Sequence, residues 1–302
     1  MTDAPESPED EAPGAATPEA VTRAGDVLPE PAKKSRAGRN LPAAIAVGLG
    51  LAIGLVLIPI YLAPNLFVAI VAVASVVGVR ELQVAFGTTD IRVPFVPLAA
   101  GSLAMVLGAA LADVRGLLVA YALTVVLLLL WRLSGPVEGY LRDSAAAVFV
   151  ASYLSLMISF AVLMVLQPEG ADRILVFILT AVCSDVGGYA AGVLFGKHPM
   201  SPRISPKKSW EGFAGSVLFC VAAGTGSSVL LLGLPWWNGA VLGLALVVTA
   251  VLGDLVESAV KRDLGIKDMG SLLPGHGGLI DRLDSLLLSA PVAWLLLTVF
   301  LG

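Results

Sequence analysis

Residues 238–301 read NGAVLGLALVVTAVLGDLVESAV (238–260), KRDLGIKDMGSLLPGHGGLIDRLD (261–284) and SLLLSAPVAWLLLTVFL (285–301). Two long apolar runs flank a link rich in glycine and charge. A helix needs about 20 mostly apolar residues to cross a ~30 Å hydrocarbon core. Applied outward along the chain, that test finds spans at 41–62, 66–86, 95–112, 116–133, 144–167, 173–195, 212–233, 238–260 and 283–301. The expected fold is all-α, a polytopic integral membrane protein of about nine transmembrane helices. The third and fourth spans are short and separated only by Asp113, Val114 and Arg115, so a hairpin that stops short of a full crossing gives the competing count of eight.

Composition agrees. Of 302 residues 57% are hydrophobic and 14% charged, with mean hydropathy +0.88, whereas a soluble domain carries about 25% charged residues. An ordinary cytosolic enzyme is excluded. Residues 1–40, rich in Pro, Ala and Glu, hold no apolar run and cannot bury enough surface to offset the entropy of ordering. They are expected to form a disordered cytoplasmic tail, followed by N-terminal transmembrane helices at 41–170 and C-terminal catalytic transmembrane helices at 171–302. The apolar stretch starts only at Leu41 and is already long enough to span, which argues against a cleaved signal peptide. Most of the net charge of -4 belongs to the tail, and no basic excess points to nucleic acid. Cys183 and Cys220 sit in apolar runs and read as packing residues, not as a disulfide or thiolate metal site.

Short cytoplasmic segments carry the excess of Lys and Arg. With the tail inside, all of the 19 lysines and arginines except Arg80, Arg115 and Arg173 fall on the cytoplasmic side. The C-terminus is then outside, the external connections are short, and the active-site cavity must face the cytoplasm. There is no short-period repeat and no inverted pair of Gly/Pro-broken spans of the transporter kind. Residues 41–170 read as near-uniform hydrocarbon-facing helix, and the polar groups concentrate at 183–285.

Within that region Asp254, Glu257, Ser258 and Lys261 share one helical face. Acids at membrane depth are costly and turn toward a cavity or a partner; the plainer alternative is a helix leaving the membrane with Asp254 paired to Lys261 or Arg262. Pro274, Gly275, Gly277 and Gly278 surround His276. Such a loop lets backbone N–H groups approach a phosphate or sugar, or simply makes a tight connection. Asp281, Asp284 and Ser285 open the last helix. One carboxylate would serve its dipole; two, with Asp254 and Glu257, make the oxygen-rich set that Mg²⁺ takes together with substrate phosphates.

Asp185 lies mid-span, with Tyr189 a turn further on and Gly187, Gly188 and Gly192 thinning the helix for close packing. The segment GKHPMSPRISPKKSWEG (196–212) then gathers Lys197, His198, Arg203, Lys207 and Lys208. A positive-inside loop or attraction to lipid headgroups accounts for the charges. The packing of Ser205, Pro206, Lys207, Lys208 and Ser209 just before a span also suits anionic polyphosphate. Neither a Walker A sequence nor HExxH is present. Carboxylates, bases and a Gly-His loop on one face suggest chemistry between a nucleotide or pyrophosphate and a lipid.

At these residues the sequence resembles the phosphatidate cytidylyltransferases. Their signature stands complete as SAVKRDLGIKDMGSLLPGHGGLIDRLD (258–284), and a second block is intact as ISPKKSWEG (204–212). Asp185 and Tyr189 look like the family's Asp-x-x-x-Tyr stretch, although CSDVGGYAAG (183–192) lacks the aromatic and alanine expected nearer the Asp. The resemblance implies transfer of CMP from CTP to phosphatidic acid, giving CDP-diacylglycerol and pyrophosphate, in a homodimer of nine-span helical subunits. It implies Mg²⁺, with K⁺ as a companion ion, and a lipid bilayer such as a bacterial inner membrane, N-terminus cytoplasmic. By motif position the metal aspartates are Asp254 and Asp281, supported by Asp284. Lys207, Lys208, Lys261 and Arg262 then bind phosphate, with Ser205, Ser209 and Ser258 as hydroxyl partners. Asp185, Lys267 and Arg282 join the substrate site. His276, Gly277 and Gly278 shape the nucleotide pocket; for His276 a hydrogen-bonding role and general-acid duty toward pyrophosphate both stand. The rival readings are a lipid kinase or related lipid-nucleotide transferase, separated by its donor, and a secondary transporter whose acids carry ions, separated by flux without nucleotide turnover.

Overall fold

The computed structural model describes residues 53–202, 204–270 and 277–302. A π-helical turn, Ile53–Leu57, runs into α1, Ile58–Leu62, so only the end of the first expected span lies among the described residues. There follow α2 (Pro64–Phe86), α3 (Phe95–Arg132), α4 (Tyr140–Val165), α5 (Gly170–Phe195), α6 (Trp210–Leu232), α7 (Trp236–Asp263) and α8 (Ile280–Leu301). These seven are long and apolar enough to cross a membrane, and the chain is a multi-pass membrane protein. The 23 residues of α2 reach ~35 Å at ~1.5 Å per residue.

The 38 residues of α3 are interrupted at Ala112 (φ -140°) and Asp113 (φ 55°). With ψ at -156°, Asp113 lies outside the left-handed helical region, in a conformation that residues other than glycine seldom adopt, and at this point the chain doubles back. A Cβ on Gly108 would lie 2.6 Å from the Gly116 carbonyl oxygen, and one on Gly101 would lie 2.2 Å from Thr124 Cγ2. The expected third and fourth spans are therefore the two arms of one antiparallel hairpin. That merger, and the position of the first span, is why seven long helices stand where nine spans were expected.

The chain is not wholly helical. Pro199–Ser201 (β1) and Ser205–Ser209 (β2) pair antiparallel between α5 and α6. Pro199, Pro202 and Pro206 disfavour helix in this stretch, and β1 and β2 pair with Pro199 opposite Ser209 and Ser201 opposite Ser205.

Nor is the N-terminal half uniformly hydrocarbon-facing. Asp143 is 2% exposed and accepts hydrogen bonds from Arg132 Nε and the Arg92 N–H, both at 3.1 Å, with Arg142 Nε at 3.5 Å. Arg132 also donates to the carbonyls of Pro136 (2.5 Å) and Glu138 (2.8 Å), and Arg142 to that of Asp90. A buried carboxylate is tolerated only with such partners. A second buried acid of this half, Glu81, reaches the start of α8.

α5, α6, α7 and α8 pack in sequence order, and α8 also packs on α4. Leu82, Leu98, Leu154, Met164, Leu246 and Ile280 are fully buried, whereas Leu111, Leu230 and Val299 point outward, as lipid-facing residues do. Asp143 and Arg142 hold the connection 87–94, and Arg132, paired with Asp143, holds the connection 133–139; Glu81 ties the segment before α8 to the end of α2, and Lys208 ties the β-hairpin to the C-terminal third of α7. These four connections therefore share one end of the bundle, and the signature lies there.

Candidate active site

Small residues bring Asp185 to the site. Lipid offers no hydrophobic drive between helices, so close backbone approach supplies the packing. A Cβ on Gly187 would lie 2.7 Å from the Gly215 carbonyl oxygen, and one on Gly215 would lie 2.3 Å from Ala191 Cβ. The glycines expected to thin α5 thus face a matching set on α6. Ser216 Oγ donates to the Ser184 carbonyl (2.7 Å) and Cys220 Sγ to that of Thr180 (3.2 Å), which locks α6 against the helix that carries Asp185 and gives Cys220 its packing role.

Above this seam opens a cavity of about 410 Å³ lined by Asp185, Tyr189, Ser205, Lys208, Ser209 and Asp254, among others. That is the size of a small-molecule site. The β-hairpin delivers the cation: Lys208 Nζ lies 2.5 Å from Asp254 Oδ2, both about three-quarters buried. Glu211 fastens the hairpin to α6, accepting from the N–H groups of Lys197 (3.1 Å) and His198 (3.2 Å), with His198 Nδ1 at 2.6 Å. Ser209 Oγ accepts from the Gly212 N–H at 3.1 Å and caps α6, so this cavity-lining hydroxyl also has a structural duty.

Beside the cavity lies a second ionic group. Lys261 pairs with Glu257, one turn earlier on α7, and with Asp281 Oδ1 on α8 at 2.9 Å. Glu257 is 2% and Asp281 5% exposed. Asp281 Oδ2 also accepts from the N–H groups of Met269 (3.0 Å) and Gly278 (2.8 Å). Gly277 has φ +83°, a conformation that favours glycine and brings the chain over Asp281. A Cβ on Gly253 would lie 2.4 Å from the Asp284 carbonyl oxygen, so α7 and α8 touch at the level of their acids. Asp284 is in electrostatic range of Asp185, Asp254 and Glu257.

Of the residues singled out in the sequence, the fold gathers Asp185, Ser205, Lys208, Ser209 and Asp254 at the cavity and Lys261, Asp281, Gly277 and Gly278 next to it. The expected alternative pairing of Asp254 with Lys261 or Arg262 is replaced by Lys208, a residue from another element. Ser258 is half-buried on α7, Arg282 is exposed on the first turn of α8, and Arg262 and Lys267 are exposed beyond the ionic group. His276 and the side chain of Lys207 lie outside the described residues. Among the described residues no three acids, histidines or cysteines converge as metal ligands; lysines hold the aspartates instead.

The sequence reading missed Glu81, whose signal was an acid, next to Arg80, within a predominantly apolar span. It also missed the Asp143 group, which lines a larger groove of about 1100 Å³ between the connections 87–94 and 133–139. None of the signature residues lines that groove, and two of its arginines, Arg132 and Arg142, are engaged by Asp143 and backbone carbonyls.

The sequence pattern of the Cytidylyltransferase family matches residues 43–300. A phosphatidate cytidylyltransferase of Mycobacterium leprae (strain TN) is 47% identical over 280 residues, covering 87% of this chain and 89% of that protein. One of Mycobacterium tuberculosis (strain ATCC 25618 / H37Rv) is 47% identical over 279 residues, 88% of this chain and 84% of the relative. One of Brucella suis biovar 1 (strain 1330) is 36% identical over 156 residues, 52% and 57% of the two chains. With nearly all of the membrane body inside the matched region, the chain belongs to the Cytidylyltransferase family.

Proposed function

We propose that the protein transfers CMP from CTP to phosphatidate, giving CDP-diacylglycerol and pyrophosphate. The observation that carries this reading is the placement of Lys208, Asp254 and Asp185 on one 410 Å³ cavity beside the Lys261–Glu257–Asp281 group, at the end of the bundle where a hydrophilic nucleotide meets a lipid headgroup.

Phosphatidate already presents an anionic phosphate oxygen, so its activation needs little from the protein. That oxygen attacks the α-phosphorus of CTP while the bond from the α-phosphorus to the bridging oxygen breaks, and pyrophosphate leaves with the electron pair. Catalysis is then mainly positioning and charge neutralisation. Lys208 faces the cavity and offsets phosphate charge, and Lys261 does the same from the α7–α8 side. Asp254 and Asp281 orient these ammonium groups and limit how far they move. Ser205 offers a hydroxyl at the cavity wall. Lys207, Arg262, Lys267, Arg282, Ser258, His276, Gly277 and Gly278 complete the substrate-binding set in this reading.

The donor set fits a divalent cation. Asp254 and Asp281 offer the hard carboxylate oxygens that such an ion takes, each held here by a lysine, and Glu257 Oε1, beside Lys261, is buried with no hydrogen-bond partner among the described residues. Mg²⁺ would be held by Asp254 and Asp281 and, when bound, supplies Lewis-acid stabilisation of charge on the transferring and leaving phosphates. The reading extends to K⁺ as a companion ion, nine spans, a homodimer, and a bacterial inner membrane with the N-terminus and the site in the cytoplasm. Support for the orientation comes from the bases of the connections at the site end.

Purified protein given phosphatidate, Mg²⁺ and α-labelled CTP should form labelled CDP-diacylglycerol, and labelled ATP should not substitute. Absence of that product across lipid compositions overturns the reading.

A further inference from the structure

Glu81 sits near the end of α2, in the half of the chain without signature residues, and is 9% exposed. Its carboxylate crosses to the other half. Oε1 accepts from the Leu279 N–H at 2.9 Å and Oε2 from the Ile280 N–H at 3.0 Å, across 198 and 199 residues of chain. Leu279 occupies the N-cap position of α8, and no side-chain hydrogen bond from it caps the helix. The donors left open at a helix start are normally met by a capping side chain of the same segment; here an anion from α2 meets them, where the helix dipole favours it.

The carboxylate also fixes the chain on both sides of residues 271–276. A Cβ on Gly270 would lie 2.6 Å from Glu81 Oε1, and one on Gly278 would lie 2.9 Å from the same oxygen and 2.8 Å from the Gly270 nitrogen. Both stems of that segment therefore converge on Glu81, and both must be glycine to do so. Directly after Ile280 stands Asp281, which accepts from the N–H groups of Met269, next to the stem residue Gly270, and of the stem residue Gly278 itself.

We propose that Glu81 is a positioning residue for the catalytic site: it clasps the two stems of the 271–276 segment and sets the first turn of α8, and thereby aims Asp281 at Lys261 and Glu257. Without the clasp, Leu279 and Ile280 lose their acceptor, the stems separate, and the N–H groups that orient Asp281 move with them. Glu81 does this without touching substrate. The inference rests on the CMP-transfer reading for its kinetic consequence but not for its structural one.

The test compares full-length wild type, Glu81→Gln, Glu81→Asp and Asp143→Asn in detergent. Gln keeps the length and one acceptor but loses the charge and the second acceptor; Asp keeps the charge but is a methylene too short. Asp143→Asn perturbs a buried acid whose partners are Arg92, Arg132 and Arg142 and not signature residues, and serves as the control for general destabilisation. Measured are KM for CTP, kcat, melting temperature, and hydrogen exchange of the peptide covering 277–284. Both Glu81 variants should lose about 30-fold or more in kcat/KM, because the charge-assisted hydrogen bonds that hold the turn carrying Asp281 are weakened or lost. Exchange at 277–284 should accelerate about 10-fold or more. Asp143→Asn should melt lower yet keep KM for CTP within about twofold, with exchange at 277–284 unchanged. Glu81→Gln or Glu81→Asp with kcat/KM within about threefold of wild type, or with loss only in proportion to the unfolded fraction, overturns the proposal. Should wild type itself make no CDP-diacylglycerol, the functional reading fails separately, and unchanged exchange at 277–284 in the Glu81 variants still overturns the clasp.

Discussion

Gly253 is the point at which α7 and α8 touch, and replacing it by alanine tests whether the acids of the two helices act as one site. The added Cβ would stand 2.4 Å from the Asp284 carbonyl oxygen and 3.2 Å from Ser285 Cα. Ordinary contact begins at 3.4 Å, so the helices must part by about 1 Å, and the obstacle is backbone that cannot rotate aside. Overpacking of this kind costs about 1–3 kcal/mol. The kinetic effect should exceed the effect on stability. Asp254 adjoins Gly253, Glu257 follows one turn later, and Lys261 pairs with Asp281 across the same two helices, so a displacement of about 1 Å falls on that pair and on the spacing of Asp284 from Asp254 and Glu257. Misplacement of that size costs about 100-fold in rate. The assay is labelled-CMP transfer with melting curves on the same preparation. Gly226→Ala on α6 is the control: its Cβ would meet nothing within 4 Å, so it should keep full activity and gain up to about 1 kcal/mol from helix propensity. Gly253→Ala with wild-type kcat and melting temperature would show that the α7–α8 contact does not set the site, and the reasoning would fail.

Lys208→Met removes the partner of Asp254 while keeping the length of the side chain. Because the pair is about three-quarters buried, kcat/KM should fall about 10- to 100-fold, corresponding to roughly 1.5–3 kcal/mol for a charged hydrogen bond, and titration with CTP should show the loss mainly in KM. Asp281→Asn leaves one acceptor for the Met269 and Gly278 N–H groups but removes the charge facing Lys261; activity should drop about 100-fold or more with a melting temperature within a few degrees of wild type, and retained CTP-dependent turnover would disprove the ligand assignment. Chelation should abolish CMP transfer and added Mg²⁺ restore it, measured at constant ionic strength; activity that survives the chelator would count against a divalent cation.

Much of the fold could be read from local pattern. Apolar runs of about 20 residues declare helices that cross lipid, and the expected spans at 173–195, 212–233 and 238–260 fall on α5, α6 and α7 within three residues at each end. The last helix begins at Ile280, three residues before its apolar run, because Glu81 from α2 supplies acceptors for its first N–H groups. The β-hairpin was hidden in a proline-rich stretch that reads only as loop, since strand pairing depends on the partner segment and not on local hydropathy. Asp185, Lys208, Asp254, Lys261 and Asp281 stood out as charges in a charge-poor sequence, and the signature at 258–284 contains two of them, Lys261 and Asp281.

By itself, then, the sequence determined that this chain is a bundle of membrane helices and which few polar residues carry its chemistry, because the cost of exposing charge or unsatisfied backbone to lipid is settled residue by residue. Tertiary structure decided who pairs with whom: Lys208 with Asp254, Lys261 with Glu257 and Asp281, Asp143 with Arg132, Glu81 with the start of α8. A buried charge must find a partner, but which partner reaches it depends on how closely helices distant in sequence approach, and glycine contacts such as Gly187 with Gly215 and Gly253 with Asp284 set that distance.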